Sequence, residues 1–144
     1  MIGLCVHFRN LNLAGKKDNY PLPNMETMLQ RVTCSGMRSL LYGFFGYNQV
    51  WVKKEDQHKT TFTTPWGTFE YIRMPFGLTN TGATFQRDMD YDYKILIGKI
   101  IEIYQDDLTV FSKDGISHVS HLRQVFDKCR EYEISLNLAK SVFE

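Results

Sequence analysis

The chain has 144 residues, 43% hydrophobic and 23% charged, with a formal net charge of +1. At about 150 residues per domain this is one domain with one core, and the composition excludes a disordered chain, a coiled coil and a collagen-like repeat. No apolar run reaches the roughly 18 residues that span a bilayer. The N-terminus MIGLCVHFRN lacks a basic flank, an apolar stretch and a small-residue cleavage site, so no secretory signal is visible. An intracellular protein with no membrane partner is expected, with cytoplasmic, nuclear and organelle-encoded origins all open. Cys5, Cys34 and Cys129 are too scattered for a disulfide framework and read as free thiols. Residues 1–73 carry a net +4 and residues 74–144 a net −3. That split fits a polyanion-binding flank beside a carboxylate site, or simple scatter of surface charge.

In chain order, Gly3 to Phe8 reads as a strand followed by a polar turn. Residues 16–23, with Pro21 and Pro23, form an extended connector, because residues before proline avoid the helical region. Asn24 caps a helix from Met25 to about Val32, and Gly36 ends that unit. Ser39 to Leu41 is a short strand. Lys59 to Thr63 and Thr68 to Arg73 form a hairpin around Thr64-Pro-Trp-Gly67. Residues 79–92 suggest a helix that starts near Asn80 and carries Ala83, Phe85 and Met89. Lys99 to Tyr104 and Leu108 to Phe111 are β-rich runs flanking Gln105-Asp106-Asp107, the pattern of a tight hairpin. Residues 116–131 form a helix opened by Asp114-Gly115, with Ile116, Val119, Leu122, Val125, Phe126 and Cys129 at helical spacing. A short strand from Ile134 to Leu138 closes the chain. Mixed elements with adjacent antiparallel pairs give an α+β class.

Tyr104-Gln-Asp-Asp107 is the sharpest local feature. Adjacent carboxylates at a strand turn repel, and a divalent cation removes that cost; magnesium prefers such hard oxygen ligands. Two cations about 3.5–4 Å apart could drive phosphoryl transfer, but one hairpin cannot supply every ligand. On its own the pair reads equally as a polar turn. His118, His121 and Cys129 lie on one helix without an apparent fourth ligand, and do not read as a zinc site.

The pair does not stand alone. Val6-His-Phe-Arg-Asn-Leu-Asn12, Gly46-Tyr-Asn-Gln49, Phe62-Thr-Thr-Pro-Trp-Gly67, Met74-Pro-Phe-Gly-Leu78, Ala83-Thr-Phe-Gln-Arg87, Tyr104-Gln-Asp-Asp107 and His121-Leu-Arg-Gln-Val-Phe126 occur in one fixed order. Together they closely resemble the reverse transcriptase of gypsy-class LTR retrotransposons over nearly the whole chain. The resemblance implies a right-hand polymerase: an antiparallel palm sheet backed by helices (about 39–47 and 74–144) with partial fingers (about 1–38 and 48–73). It implies RNA-directed DNA polymerase chemistry, a nucleotidyl transfer with Mg²⁺ on an RNA or DNA template-primer and dNTPs. Asp106 and Asp107 would be the catalytic, metal-binding pair. Tyr47 would pack beneath the nucleotide sugar and reject a 2′-hydroxyl. Phe76 and Gly77 belong to the loop that shapes the nucleotide pocket, with Phe45 and Gly46 nearby. Arg9, Tyr104 and Gln105 would face template or primer, and Gln86 and Arg87 serve either structure or site.

The departures point the other way. The family's first catalytic aspartate falls five residues before the pocket tyrosine, where this chain has Tyr42. A phenol, with a pKa of about 10, is neutral at pH 7 and a poor magnesium ligand. Phe45 is bulky where the family is small or polar. Gly3 stands in place of a triphosphate-clamping arginine, His7 in place of an aspartate and Leu138 in place of a proline. Relative to the family the chain begins within the fingers and stops before the primer grip and thumb, with no ribonuclease H or integrase segment. The resulting expectation is a degenerate homologue that is catalytically silent. The alternatives are a non-enzymatic nucleic-acid-binding relic and a reading frame without function.

Overall fold

The computed structural model describes residues 6–44 and 46–144. A four-stranded antiparallel sheet in the order β4-β5-β1-β6 organises it. Its strands are β1 (Met37–Tyr42), β4 (Ile101–Tyr104), β5 (Asp107–Ser112) and β6 (Val142–Phe143). The chain reaches β1 through helices α1 (Arg9–Ala14) and α2 (Met25–Thr33). Between β1 and β4 lie the short helix α3 (Lys54–Gln57), the ribbon β2 (Phe62–Thr64) and β3 (Gly67–Phe69), and helix α4 (Thr81–Asp92). Helix α5 (Gly115–Glu131) follows β5.

Register decides which face each residue takes, because paired residues point to the same side of a sheet and neighbours along a strand alternate. Leu41 pairs with Leu108, which pairs with Ile103; Ser39 pairs with Val110, which pairs with Ile101. These six residues are buried and define the core face. Phe85 and Met89 of α4, Tyr93 just beyond it, and Val125 and Cys129 of α5 complete the core. Their spacing of four along each helix gives one apolar stripe per helix. The Tyr93 hydroxyl and Cys129 Sγ, 3.0 Å apart, join the two helices. On the opposite face Glu102 of β4 is 3% exposed and meets Arg31 of α2 at 2.8 Å, so α2 covers part of that face.

Caps follow the sequence. Asn24 Oδ1 accepts from the Thr27 amide at 3.1 Å, and Asp114 Oδ1 from the Ser117 amide at 2.9 Å. Four expectations need correction. Gly3 to Cys5 of the first expected strand lie outside the described residues, as does Phe45; residues 6–8 form no strand, and α1 occupies the expected polar turn. Asn12 fixes α1 from outside: its Nδ2 donates to Gly77 O at 2.7 Å and its Oδ1 accepts from the Thr79 amide at 2.9 Å. The 59–73 hairpin keeps only three residues per strand. The Thr60 hydroxyl takes the Tyr71 amide at 2.8 Å, replacing a ladder bond. The segment 134–138 makes a single bridge, Leu136 to Gly43, and the last strand falls at 142–143. There Asn137 turns the chain, donating its amide to Tyr42 O at 2.7 Å and accepting from Ser141 Oγ at 2.9 Å. Finally, Ile116 and Val119 are exposed, and His118 takes the buried position of that turn.

Candidate active site

The aspartate pair lies at the tip of the β4–β5 hairpin. Gln105 and Asp106 form its two-residue turn, closed by Tyr104 opposite Asp107. Gln105 adopts φ +52°, a left-handed conformation unusual for a residue with a Cβ. Gln86 of α4, fully buried, supports the turn from below. Its Oε1 accepts from the Gln105 amide at 2.8 Å, while its Nε2 donates to Ile103 O at 3.2 Å and Asp90 Oδ1 at 2.9 Å. A second tether runs from the Gly43 amide to Asp106 O at 3.0 Å.

Tyr42, Asp107 and Tyr104 occupy one transverse row on the face away from the core, with Tyr42 and Asp107 direct partners. Asp106 turns toward Gly46, which opens a 3₁₀ turn, Gly46–Gln49. A Cβ on Gly46 would collide with Asp106 Oδ1 unless that carboxylate moved. That oxygen is buried and is the one such side-chain atom among the described residues without a hydrogen-bond partner. Burial raises the pKa of Asp106, and the Asp107 charge raises it further; burial likewise raises Asp107.

Tyr47 stands in the same 3₁₀ turn. Its ring meets Phe76 at 5.3 Å and Phe85 at 5.4 Å, both edge-on. Burial raises its hydroxyl pKa, and so do the charges of Asp106 and then Asp107. Gly77 has φ +92°, which lets the chain reverse after Phe76. A cleft of about 280 Å³ opens among Gly43, Gly46, Phe76, Asp106, Asn137 and Lys140.

The fold therefore brings together Tyr42, Gly46, Tyr47, Phe76, Gly77, Tyr104, Gln105, Asp106 and Asp107. Arg9 lines a different surface pocket, beside Gly77 and Thr79. His7 is exposed there as well, and Leu138 is exposed on the closing turn. Gly3 and Phe45 lie outside the described residues. Asn137 and Lys140 are cleft residues that sequence reasoning missed; they reach the site only because the chain doubles back after Leu136. Arg87 faces away, paired with Asp18 and held over the Tyr20 ring.

The orphaned Asp106 oxygen and the neighbouring Asp107 form a hard-oxygen donor set that suits one divalent cation. Two adjacent cations also need a carboxylate between them, and the β1 position that faces Asp107 presents the Tyr42 phenol instead. Among the described residues no three His, Cys, Asp or Glu side chains converge on a common point.

An antiparallel sheet backed by two helices, with paired aspartates on its β4–β5 hairpin, is the palm of a right-hand polymerase. The whole chain, residues 1–144, matches the family model of reverse transcriptase (RNA-dependent DNA polymerase), and the chain belongs to that family. It is 36% identical over 140 residues to the retrovirus-related Pol polyprotein from transposon opus of Drosophila melanogaster, covering 97% of this chain and 14% of that protein. To the Pol polyprotein from transposon gypsy of the same organism it is 36% identical over 126 residues, 88% of this chain and 12% of the relative. The fold resembles foamy viral protease-reverse transcriptase in complex with RNA/DNA hybrid, with a TM-score of 0.85 at 23% identity over 95% of this chain and 18% of that one. The same viral protein bound to double-stranded DNA matches with a TM-score of 0.85. The chain thus spans 14% or less of these two Pol polyproteins and 18% and 24% of the two viral chains. No helix among the described residues is long and apolar enough to cross a membrane.

Proposed function

We propose that this chain is a retrotransposon reverse-transcriptase palm with partial fingers whose nucleotidyl-transfer centre is incomplete, so that it does not polymerise. One observation carries the reading: Tyr42 is the direct cross-strand partner of Asp107, and a neutral phenol cannot serve as the carboxylate that two cations share. On this reading residues 1–38 and 48–73 are the fingers side, and 39–47 and 74–144 the palm.

Asp106 and Asp107 would hold a single Mg²⁺, whose charge would neutralise a bound triphosphate. Tyr47, braced by Phe76 and Phe85, is the steric floor for a deoxyribose; a rigid ring discriminates by shape. Gly77 lets the Phe76 loop close over the pocket, and Tyr104 and Gln105 present the hairpin to a primer end. An RNA or DNA template-primer is the proposed partner, with Arg9 a phosphate contact on the fingers side.

The test is primer extension on an RNA template with Mg²⁺ and dNTPs. The chain should give no product above an Asp106→Asn/Asp107→Asn control. Incorporation clearly above that control would overturn the reading. Tyr42→Asp then asks whether the missing carboxylate is the decisive defect: appearance of product assigns the silence to Tyr42 alone.

A further inference from the structure

The β4–β5 hairpin has a second end. Six residues of β5, at about 3.3 Å each, place Lys113 roughly 20 Å from the aspartate turn. There a pocket of about 380 Å³ opens, lined by Arg31, Lys99, Phe111, Ser112, Lys113 and His121.

Two glycines build it. Gly36 donates its amide to Ser112 O at 2.9 Å and comes so close to Lys113 that a Cβ would collide with the Lys113 carbonyl. Gly98, at φ +76°, lets the Arg31 guanidinium lie against the backbone, where a Cβ would meet Nη1 at 3.1 Å. Three separate segments thereby deliver three cations to one cavity: the end of α2, the approach to β4 and the β5–α5 turn.

Asp114 also lines the pocket, but its carboxylate and that of Glu102 are already engaged. Glu102 is held by Arg31 at 2.8 Å. Asp114 accepts from the Ser117 amide at 2.9 Å and the Ser117 hydroxyl at 2.6 Å. Lys99 and Lys113 have no ion pair among the described residues. The helix end itself is filled by its own aspartate, so the lysines are the anchoring charges.

The histidine network leaves one more nitrogen available. His121 Nδ1 donates to the Phe111 carbonyl at 3.0 Å, because a carbonyl can only accept. The Ser112 hydroxyl lies 2.6 Å from His121 Nδ1 and 3.0 Å from His118 Nδ1, and His118 Nε2 lies 2.8 Å from Ser39 Oγ. His121 Nε2 is outside this chain of bonds.

We infer that this pocket, at the end of the sheet opposite the aspartates, binds a phosphate dianion, either free or as a small phosphomonoester, between Lys99 and Lys113. A dianion offsets the charge of two unpartnered lysines that line one pocket, and charge-assisted N–H···O bonds are the strong ones. The site is independent of the proposed polymerase reading.

The experiment uses the full 144-residue chain. Thermal unfolding is followed while inorganic phosphate, or in a second arm ribose 5-phosphate, replaces chloride at constant ionic strength. Saturable stabilisation is expected; a response to inorganic phosphate assigns free phosphate, and a response to the ester alone assigns a phosphomonoester. Lys99→Ala/Lys113→Ala should weaken apparent binding at least about tenfold. Lys54→Ala/Lys94→Ala, which removes the same charge elsewhere, should not. Equal weakening in both variants, or no saturable response in either arm, overturns the assignment. Should the first variant fail to fold, amide shifts of Ser112, Lys113 and Ser117 in the unaltered chain decide: they move with phosphate, or the pocket does not bind it.

Discussion

Replacing Gln86 by methionine isolates what holds the aspartate hairpin in place. Methionine nearly conserves volume, so the cavity contribution is small and the loss reports hydrogen bonds. The side chain serves the Gln105 amide at 2.8 Å and the Ile103 carbonyl at 3.2 Å, and it also donates to Asp90, which keeps the Tyr20 hydroxyl at 2.7 Å. A stranded, half-buried amide costs about 1 kcal/mol and a buried carbonyl about 1–2 kcal/mol, giving roughly 2–3 kcal/mol in all. For a chain of this size that lowers Tm by roughly 6–12 °C. Gln105, held at φ +52°, has no other acceptor for its amide among the described residues, so its hydrogen exchange should accelerate more than that of the core strand β5. Urea unfolding followed by circular dichroism gives the stability, and amide exchange gives the location. A loss below about 1 kcal/mol, with Gln105 exchange unchanged, would refute the idea that Gln86 positions the turn.

Three further outcomes follow from the same geometry. Gln105→Gly should stabilise the chain by about 0.5–1 kcal/mol, since glycine adopts positive φ without the Cβ penalty; urea unfolding checks it. His118 is buried with hydroxyl partners, and its pKa is lowered by burial and then by the charge of neighbouring His121. The unfolded chain therefore takes up a proton that the folded one refuses, and stability is lost as pH falls through the unfolded value of about 6.5 toward the lower folded one. Thermal melts between pH 7.5 and about 5 should show a slope that His118→Gln flattens. Tyr42→Asp adds a third carboxylate beside two whose pKa values burial already raises; its Tm should drop without Mg²⁺ and recover with it, whereas the unaltered chain should respond less.

Local chemistry made much of this legible. Asn24 and Asp114 announced their helices because a side-chain cap acts within three residues. The β4–β5 hairpin was visible because its apolar runs flank a polar pair. Tyr47, Phe76 and the aspartates were found because each sits in a contiguous motif. What escaped depends on distant partners. Helix α1 exists because Asn12 reaches Gly77 and Thr79, which no window around Asn12 contains. The Thr60 hydroxyl shortens the 59–73 hairpin by taking a backbone amide across the turn. On α5 the apolar Ile116 and Val119 suggested a buried face, but Ser39 and Ser112 satisfy His118 and draw that polar side chain inward instead. Lys140 and Asn137 reached the cleft through a chain reversal that leaves no periodic trace.

The same division bears on how the proposed silent palm would keep its fold. The hairpin is positioned by Gln86, by the Gly43 amide on Asp106 O, and by the bare approach of Gly46. None of these contacts uses the Tyr42 side chain. That position lies on the face away from the core formed by Leu41, Leu108 and Ile103, so a change of side chain there leaves that core intact. A neutral residue at position 42 also avoids like-charge repulsion with Asp106 and Asp107, whose ionisation burial already disfavours. The substitution proposed to silence the centre is thus one that folding stability favours, as expected where a functional site holds strained charge. Asp106, with its buried and unpartnered oxygen, is what remains of that strain: Asp106→Asn should raise the Tm of the metal-free chain, and a fall would show that the carboxylate has acquired a structural role.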